Sequence, residues 1–161
     1  MSDLSELLEK FRRGAEVLAV ALTGVFGEEE DFIPAPGKWS ARIIVAHLAD
    51  SEVVCAHRLR QVAAEENATL VAFDQEAWAR NLDYAARKPK QSLETFRRLR
   101  AENYALLQAL PAAAFERTGN HTEAGPISLR ALVERNVNHT EAHVRQLQGI
   151  RDAYKAAKGK K

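Results

Sequence analysis

The sequence predicts an all-α protein built as an antiparallel four-helix bundle. Three observations lead there. Apolar residues recur three and four positions apart over four long stretches, the spacing of helices that each bury one face. No stretch alternates apolar and polar residues as a half-buried strand would. The connections are of a size that packs such helices into one bundle. With 161 residues, the chain makes one domain whose core needs no staples. We place that domain over residues 1–154 and a basic flexible tail over residues 155–161.

The first helix runs from about Asp3 to Val25, with Leu4, Leu7, Leu8, Phe11, Leu18 and Leu22 on one face, and Gly24 and Gly27 ending it. Pro34, Pro36 and Gly37 mark a loop. The second helix follows Trp39. Ser40 is its N-cap, because the hydroxyl can accept from a free N–H of the first turn, and the helix continues to about Glu66. Asp74 caps a short helix through Trp78. A polar connection containing Pro89 leads to a long helix over 92–110, with Leu93, Phe96, Leu99, Tyr104, Leu106 and Leu107 as core candidates. Pro111 opens a short segment ending near Phe115, and residues 118–126 read as a loop through Gly119, Asn120, Gly125 and Pro126. Ser128 caps the last helix, which reaches about Tyr154.

Composition narrows the function. Hydrophobic residues at 46% and charged residues at 28% are those of a folded soluble chain rather than a disordered one. Twenty-three basic residues against twenty-two acidic ones leave a net charge of +1, with no general attraction to nucleic acid or an anionic membrane. No Gly-rich nucleotide-binding loop is present. Cys55 is the single cysteine, so the fold does not rely on an intramolecular disulfide, which fits a reducing cytosol. The longest apolar stretch, residues 15–26, is broken by Thr23 and Gly24 and is too short to span a bilayer. The opening Met-Ser-Asp-Leu-Ser-Glu lacks the basic and apolar parts of a secretion signal. A cytoplasmic protein acting on a small molecule, without nucleic-acid or membrane partners, is the expectation.

Chemistry enters with histidine. On the last helix Leu132, Asn136, His139, His143, Leu147 and Ile150 share a face that is apolar at its ends and polar in the middle. His139 and His143 lie one turn apart, so their side chains can converge on one ion. On the second helix His47 sits among Ile43, Ile44, Leu48, Ser51 and Val54, again on the apolar face. Polar groups on a buried stripe cost free energy unless partnered. If the two faces meet, three imidazoles meet, and three protein ligands with an open position is the arrangement of a catalytic rather than a structural metal site. The residues alone leave a second reading open, that of core histidines satisfied by hydrogen bonds.

Several quoted segments go further. Residues 36–40, Pro-Gly-Lys-Trp-Ser, and residues 47–52, His-Leu-Ala-Asp-Ser-Glu, are followed by Phe-Asp-Gln-Glu-Ala-Trp-Ala at 73–79. His-Thr-Glu-Ala-Gly at 121–125 and Asn-His-Thr-Glu-Ala-His at 138–143 come last. Together, from about Asp31 to Ile150, they resemble the DinB-like superfamily, in particular its YfiT-like branch. The resemblance implies a bundle of up-down-down-up order with short extra helices, and a metal held at His47, His139 and His143. It implies a divalent ion, zinc or nickel ahead of iron or manganese, and a homodimer. It also implies metal-dependent transfer with a low-molecular-weight thiol. A metal-dependent hydrolase, or a metal-binding stress-response bundle without turnover, is the alternative.

Other residues receive narrower roles. Asn136 and Ser51 are candidates for orienting a substrate. Glu52 and Glu141 are candidates to accept from an imidazole N–H, with Glu141 reading better as a solvated charge. His57 reads as solvent-facing or at a subunit contact, and His121 as a loop residue bonding backbone. Trp39 and Trp78 read as packing anchors, and Cys55 as a small buried hydrophobe.

Overall fold

The structure, a computed structural model, describes residues 3–159. Its helices are α1 (Leu4–Ala21), α2 (Glu28–Asp31), α3 (Ala41–Ala64), α4 (Gln75–Asn81), α5 (Pro89–Ala109) and α6 (Leu129–Lys158). Short 3-10 turns lie at Tyr84–Ala86 and Ala112–Glu116. Strands β1 (Thr69–Leu70), β2 (Thr118–His121) and β3 (Gly125–Ser128) make one small sheet in the order β1-β2-β3. No helix among the described residues is long and apolar enough to cross a membrane.

α1, α3, α5 and α6 form the bundle, and side-chain meetings give their directions. Asp50 meets Arg87 just before α5, Glu52 meets Arg100 and Arg60 meets Asn103, so α3 and α5 run parallel. Thr140 lies beside Gly14, and Arg151 bonds the carbonyl of Ala21, so α1 and α6 run parallel. His47 meets His139 and His143 while Cys55 clusters with Leu132, which makes α3 and α6 antiparallel. In α1 and α5, Leu7 clusters with Leu107 and Leu18 with Phe96, again antiparallel. The chain order is therefore up-down-down-up.

The core has two apolar ends. Leu7, Phe11, Cys55, Leu59, Leu107, Phe115, Leu129 and Leu132 belong to one, and Leu18, Ile44, Leu48, Phe96, Val144, Leu147 and Ile150 to the other. Between them lies a buried polar layer. Arg100 forks onto Glu52 through Nε and Nη2 (2.9 and 2.7 Å) and donates to the Phe11 carbonyl (2.8 Å) and the Thr140 hydroxyl (3.2 Å). Asn103 Nδ2 donates to the same carboxylate (2.9 Å). Gly14 leaves the room: a Cβ there would lie 2.7 Å from Arg100 Nη1.

The expected caps form. Ser40 Oγ accepts from the Ile43 N–H, Asp74 Oδ1 from that of Ala77 and Ser128 Oγ from that of Ala131. Four expectations are corrected. α1 ends at Ala21 rather than Val25, and the loop after it holds α2, whose acidic residues are fixed from outside: Glu30 and Asp31 by Arg42, and Glu29 by Arg151. α5 begins at Pro89 rather than Ser92, the ring serving as a preset first residue.

The expected loop over 118–126 is a β-hairpin. Its strands, Thr-Gly-Asn-His and Gly-Pro-Ile-Ser, have little strand propensity, and tertiary bonds impose the conformation. Asn120 N–H donates to the Ala68 carbonyl (2.8 Å) and Thr122 N–H to that of Leu70 (3.0 Å). Gly119 permits this approach, since a Cβ would meet Val62 at 2.9 Å and the Ala68 carbonyl at 3.2 Å.

Finally, α6 runs through Lys158, so residues 155–158 are not a flexible tail. Lysines in a last helical turn favour the helix dipole, and Lys158 Nζ reaches Glu28 (2.6 Å). Residues 160 and 161 of the expected tail lie outside the described residues.

Candidate metal centre

The centre lies between α3 and α6. His47 is presented two turns into α3, where the Ser40 cap fixes the helix start and sets Trp39 immediately before it. His139 and His143 come from successive turns of α6. The Nε2 atoms of His47 and His143 each lie 3.1 Å from that of His139. One ligand atom of each ring falls within 4.8 Å of the others. Three imidazole nitrogens on a tetrahedral zinc, at about 2.05 Å from the ion, would be about 3.3 Å apart, so the set is close to ligating geometry.

Electrostatics agree. Burial, with help from the neighbouring rings, lowers His47 to about 3 and His139 to about 4. Burial also lowers His143, while its bond to Gln146 acts in the opposite direction. The rings are thus neutral at physiological pH, and each offers a lone pair. His143 Nδ1–H donates to Gln146 Oε1 (2.9 Å), which leaves its Nε2 as the unprotonated atom. His47 is 1% exposed, and its Nδ1 is buried without a hydrogen-bond partner. That orphan weighs against a core histidine kept for its hydrogen bonds, because such groups are normally satisfied. Converging neutral lone pairs repel unless a proton or a cation lies among them, so the donor set fits a divalent cation.

Trp39 closes one side, its ring centroid 5.0 Å from that of His47 and 6.4 Å from that of His143, nearly parallel to the latter. It packs against the apolar end of the core, as an anchor would, and also forms a wall of the centre. The other side opens into a pocket of about 320 Å³ lined by Ser51, Cys55, Arg58, Phe73, Arg135 and Asn136, among others. Ser51 Oγ is 3.4 Å from His47 Nε2. Asn136 Nδ2 donates to the Leu132 carbonyl (2.8 Å), which leaves its Oδ1 as the acceptor. Both proposed orienting residues therefore reach the pocket.

Some expectations shift. Glu52 does not serve an imidazole, since Arg100 and Asn103 take its oxygens on the far side of α3. On α6 the buried stripe passes through Val133, Val137, Thr140, Val144 and Leu147, so His139 and His143 flank that stripe rather than interrupt it. Glu141 is exposed, 4.0 Å from Arg145, as a solvated charge. His57 is exposed. His121 is buried in the hairpin, where Nδ1 accepts from the N–H groups of Glu123 and Ala124 (3.2 Å each), the backbone role expected of it. Cys55 is buried, and desolvation pushes its thiol well above the ordinary value. Trp78 packs on Phe73 with centroids 4.5 Å apart.

Sequence reasoning missed Arg100 and Asn103. The signal was available: Phe96, Arg100, Asn103 and Leu107 follow at steps of four, three and four, a core stripe holding two polar residues. Arg58 and Arg135 were also missed, because nothing local marks them.

Residues 10–147 match the model of the DinB superfamily. A protein of Oceanobacillus iheyensis, whose name proposes a metal-dependent hydrolase, is 30% identical over 123 residues, 76% of this chain and 71% of that one. YfiT of Bacillus subtilis, named in the same way, is 27% identical over 142 residues, 88% of this chain and 76% of that one. The solved YfiT structure, described as having an unusual four-helix bundle topology, superposes with a TM-score of 0.85 at 23% identity, covering 93% of this chain and 89% of that one. The mycothiol-dependent maleylpyruvate isomerase superposes with a TM-score of 0.72 at 15% identity, covering 90% of this chain and 60% of that one, a likeness of fold.

Proposed function

The chain belongs to the DinB superfamily, and from that premise we propose that it holds a divalent metal at His47, His139 and His143 and transfers a low-molecular-weight thiol to a small electrophile. The convergence of three neutral Nε2 atoms at the end of an open pocket carries this reading. Zinc or nickel suits three imidazoles, with iron and manganese also admissible. Once bound, such an ion supplies Lewis acidity, lowering the pKa of a thiol or water in its open position.

The remaining work falls to the chain. Trp39 excludes solvent from one side of the imidazoles. Asn136 Oδ1 and the Ser51 hydroxyl can orient a ligand by accepting hydrogen bonds from it. Cys55 is too buried, and its thiol too weakly acidic, to be the nucleophile. That leaves the nucleophile, a thiol or a water, to come from outside the chain. A second reading, hydrolysis, is favoured by the names of the relatives. A homodimer belongs to the proposal and is tested by light scattering.

The test has two parts. Elemental analysis should find about one metal ion per chain in the wild type and much less in His47→Ala, His139→Ala and His143→Ala. Equal occupancy in all four proteins removes the centre. The metal-restored protein is then offered thiols with electrophiles, and separately esters and amides. Metal-dependent loss of free thiol supports transfer. Hydrolysis without thiol consumption supports the second reading, and no turnover at all leaves a metal-binding bundle.

A further inference from the structure

The pocket that His47 and His139 border contains two guanidinium groups that the metal reading does not use. Arg58 stands on α3 eleven residues after His47, about 16 Å further along the axis. Arg135 stands on α6 four residues before His139, about 6 Å away along its helix. Because the two helices run in opposite directions, both side chains line the same pocket, together with Gln75, Asn136 and Ser51.

Arg58 is half-buried, and Nη2 is fixed on the Val71 carbonyl at 2.6 Å. It makes no ion pair with any described residue, and Arg135 has neither an ion pair nor a hydrogen bond among them. The two arginines repel one another, and both disfavour a proton on nearby His121. The one carboxylate lining the pocket, Glu123, acts on Arg58 only at a distance. Arg135 is exposed at the pocket, whereas Arg58 is a partly desolvated charge with one remote counter-charge, costly in the free protein and favoured once an anion bridges it to Arg135. Elsewhere the chain neutralises its half-buried arginines directly, as at Arg42 with Asp31 and Glu30 and at Arg87 with Asp50.

We propose that Arg58 and Arg135 form an oxyanion subsite, so that the ligand of this pocket carries a carboxylate or phosphate group away from its reacting end. The guanidinium fork matches both oxyanions. Gln75 can add a neutral donor. The inference rests on the metal reading only for what the rest of the ligand does, since the fold presents the two arginines without a metal.

The test uses malonate and inorganic phosphate as separate probes, titrated calorimetrically into metal-free protein, with Arg58→Gln and Arg135→Gln as variants. Saturable binding is expected for at least one probe, weakened about ten- to hundredfold in each variant, the change that follows loss of a charge-assisted hydrogen bond. Preference between the probes identifies the group. No saturable binding of either probe at millimolar concentration, or binding unchanged in both variants, overturns the subsite.

A second arm uses metal-loaded protein with 3-mercaptopropionate and its amide. The carboxylate is expected to bind about tenfold more tightly, with the preference lost in Arg135→Gln while metal content stays at the wild-type level. Equal binding of the two thiols places the anion contact outside the thiol ligand and overturns the subsite as a determinant of that ligand. Failure of the protein to load metal, with malonate still binding, defeats the metal reading and leaves the subsite standing.

Discussion

A buried imidazole nitrogen with no partner is a cost, and the chain keeps one at His47. The low values of His47, about 3, and His139, about 4, express the same burial and give it a pH signature. In the unfolded chain both rings titrate near about 6.5. The folded values lie below the unfolded ones, so as pH falls beneath about 6.5 the unfolded state takes up protons that the folded state refuses. Stability of the metal-free protein is therefore full above about pH 6.5 and declines toward pH 4, by up to about 1.4 kcal/mol per pH unit for each ring. Urea midpoints at pH 7.5, 6 and 5 should fall in that order, and His47→Leu should flatten the trend. An unchanged trend in the variant would assign the acid sensitivity to other groups. His47 was legible in the sequence because it breaks an apolar stripe. Arg58 and Arg135 were not, because their proximity exists only once α3 and α6 are antiparallel.

Among the elements, α3 serves two sites with opposite faces. One holds His47 and Ser51 toward the pocket, and the other holds Glu52 against Arg100 and Asn103 of α5. The stripe on α5 was readable, but the partner of Arg100 was not, since Glu52 and Arg100 are 48 residues apart and only packing joins them. Removing one member of a buried ion pair leaves the other uncompensated. Glu52→Ala should thus destabilise the protein by about 3–5 kcal/mol, measured by denaturant unfolding. Replacing both residues, as Glu52→Met with Arg100→Met, should recover most of that loss. A double variant as unstable as the single one would show that the polar layer contributes more than charge pairing. β2 makes a complementary case at the bundle's end. Gly119→Ala would force Val62 and the Ala68 carbonyl apart and cost about 1–3 kcal/mol. The hairpin escaped sequence reading because β2 and β3, though paired with each other, have little strand propensity, and the contacts that hold β2 come from the distant β1 and from Val62 of α3.

For the molecule as a whole, apolar periodicity was enough to count four long helices. Their directions came from the family resemblance, because periodicity says which face is buried and nothing about which way a helix runs. Direction decides the site: antiparallel α3 and α6 bring together histidines 92 residues apart in sequence. A metal held there binds the folded chain, and the unfolded chain has no preformed equivalent. At one hundred times its dissociation constant, a ligand specific for the folded state adds about 2.7 kcal/mol. For a chain of this size that raises the melting temperature by roughly 5–10 °C. Zinc or nickel should give this shift in wild type, a chelator should reverse it, and His139→Ala should abolish it. Arg135→Gln should retain it, because that side chain lies in the pocket and outside the ligand set. A melting temperature indifferent to both metal and chelator would mean that the three imidazoles are held by packing alone.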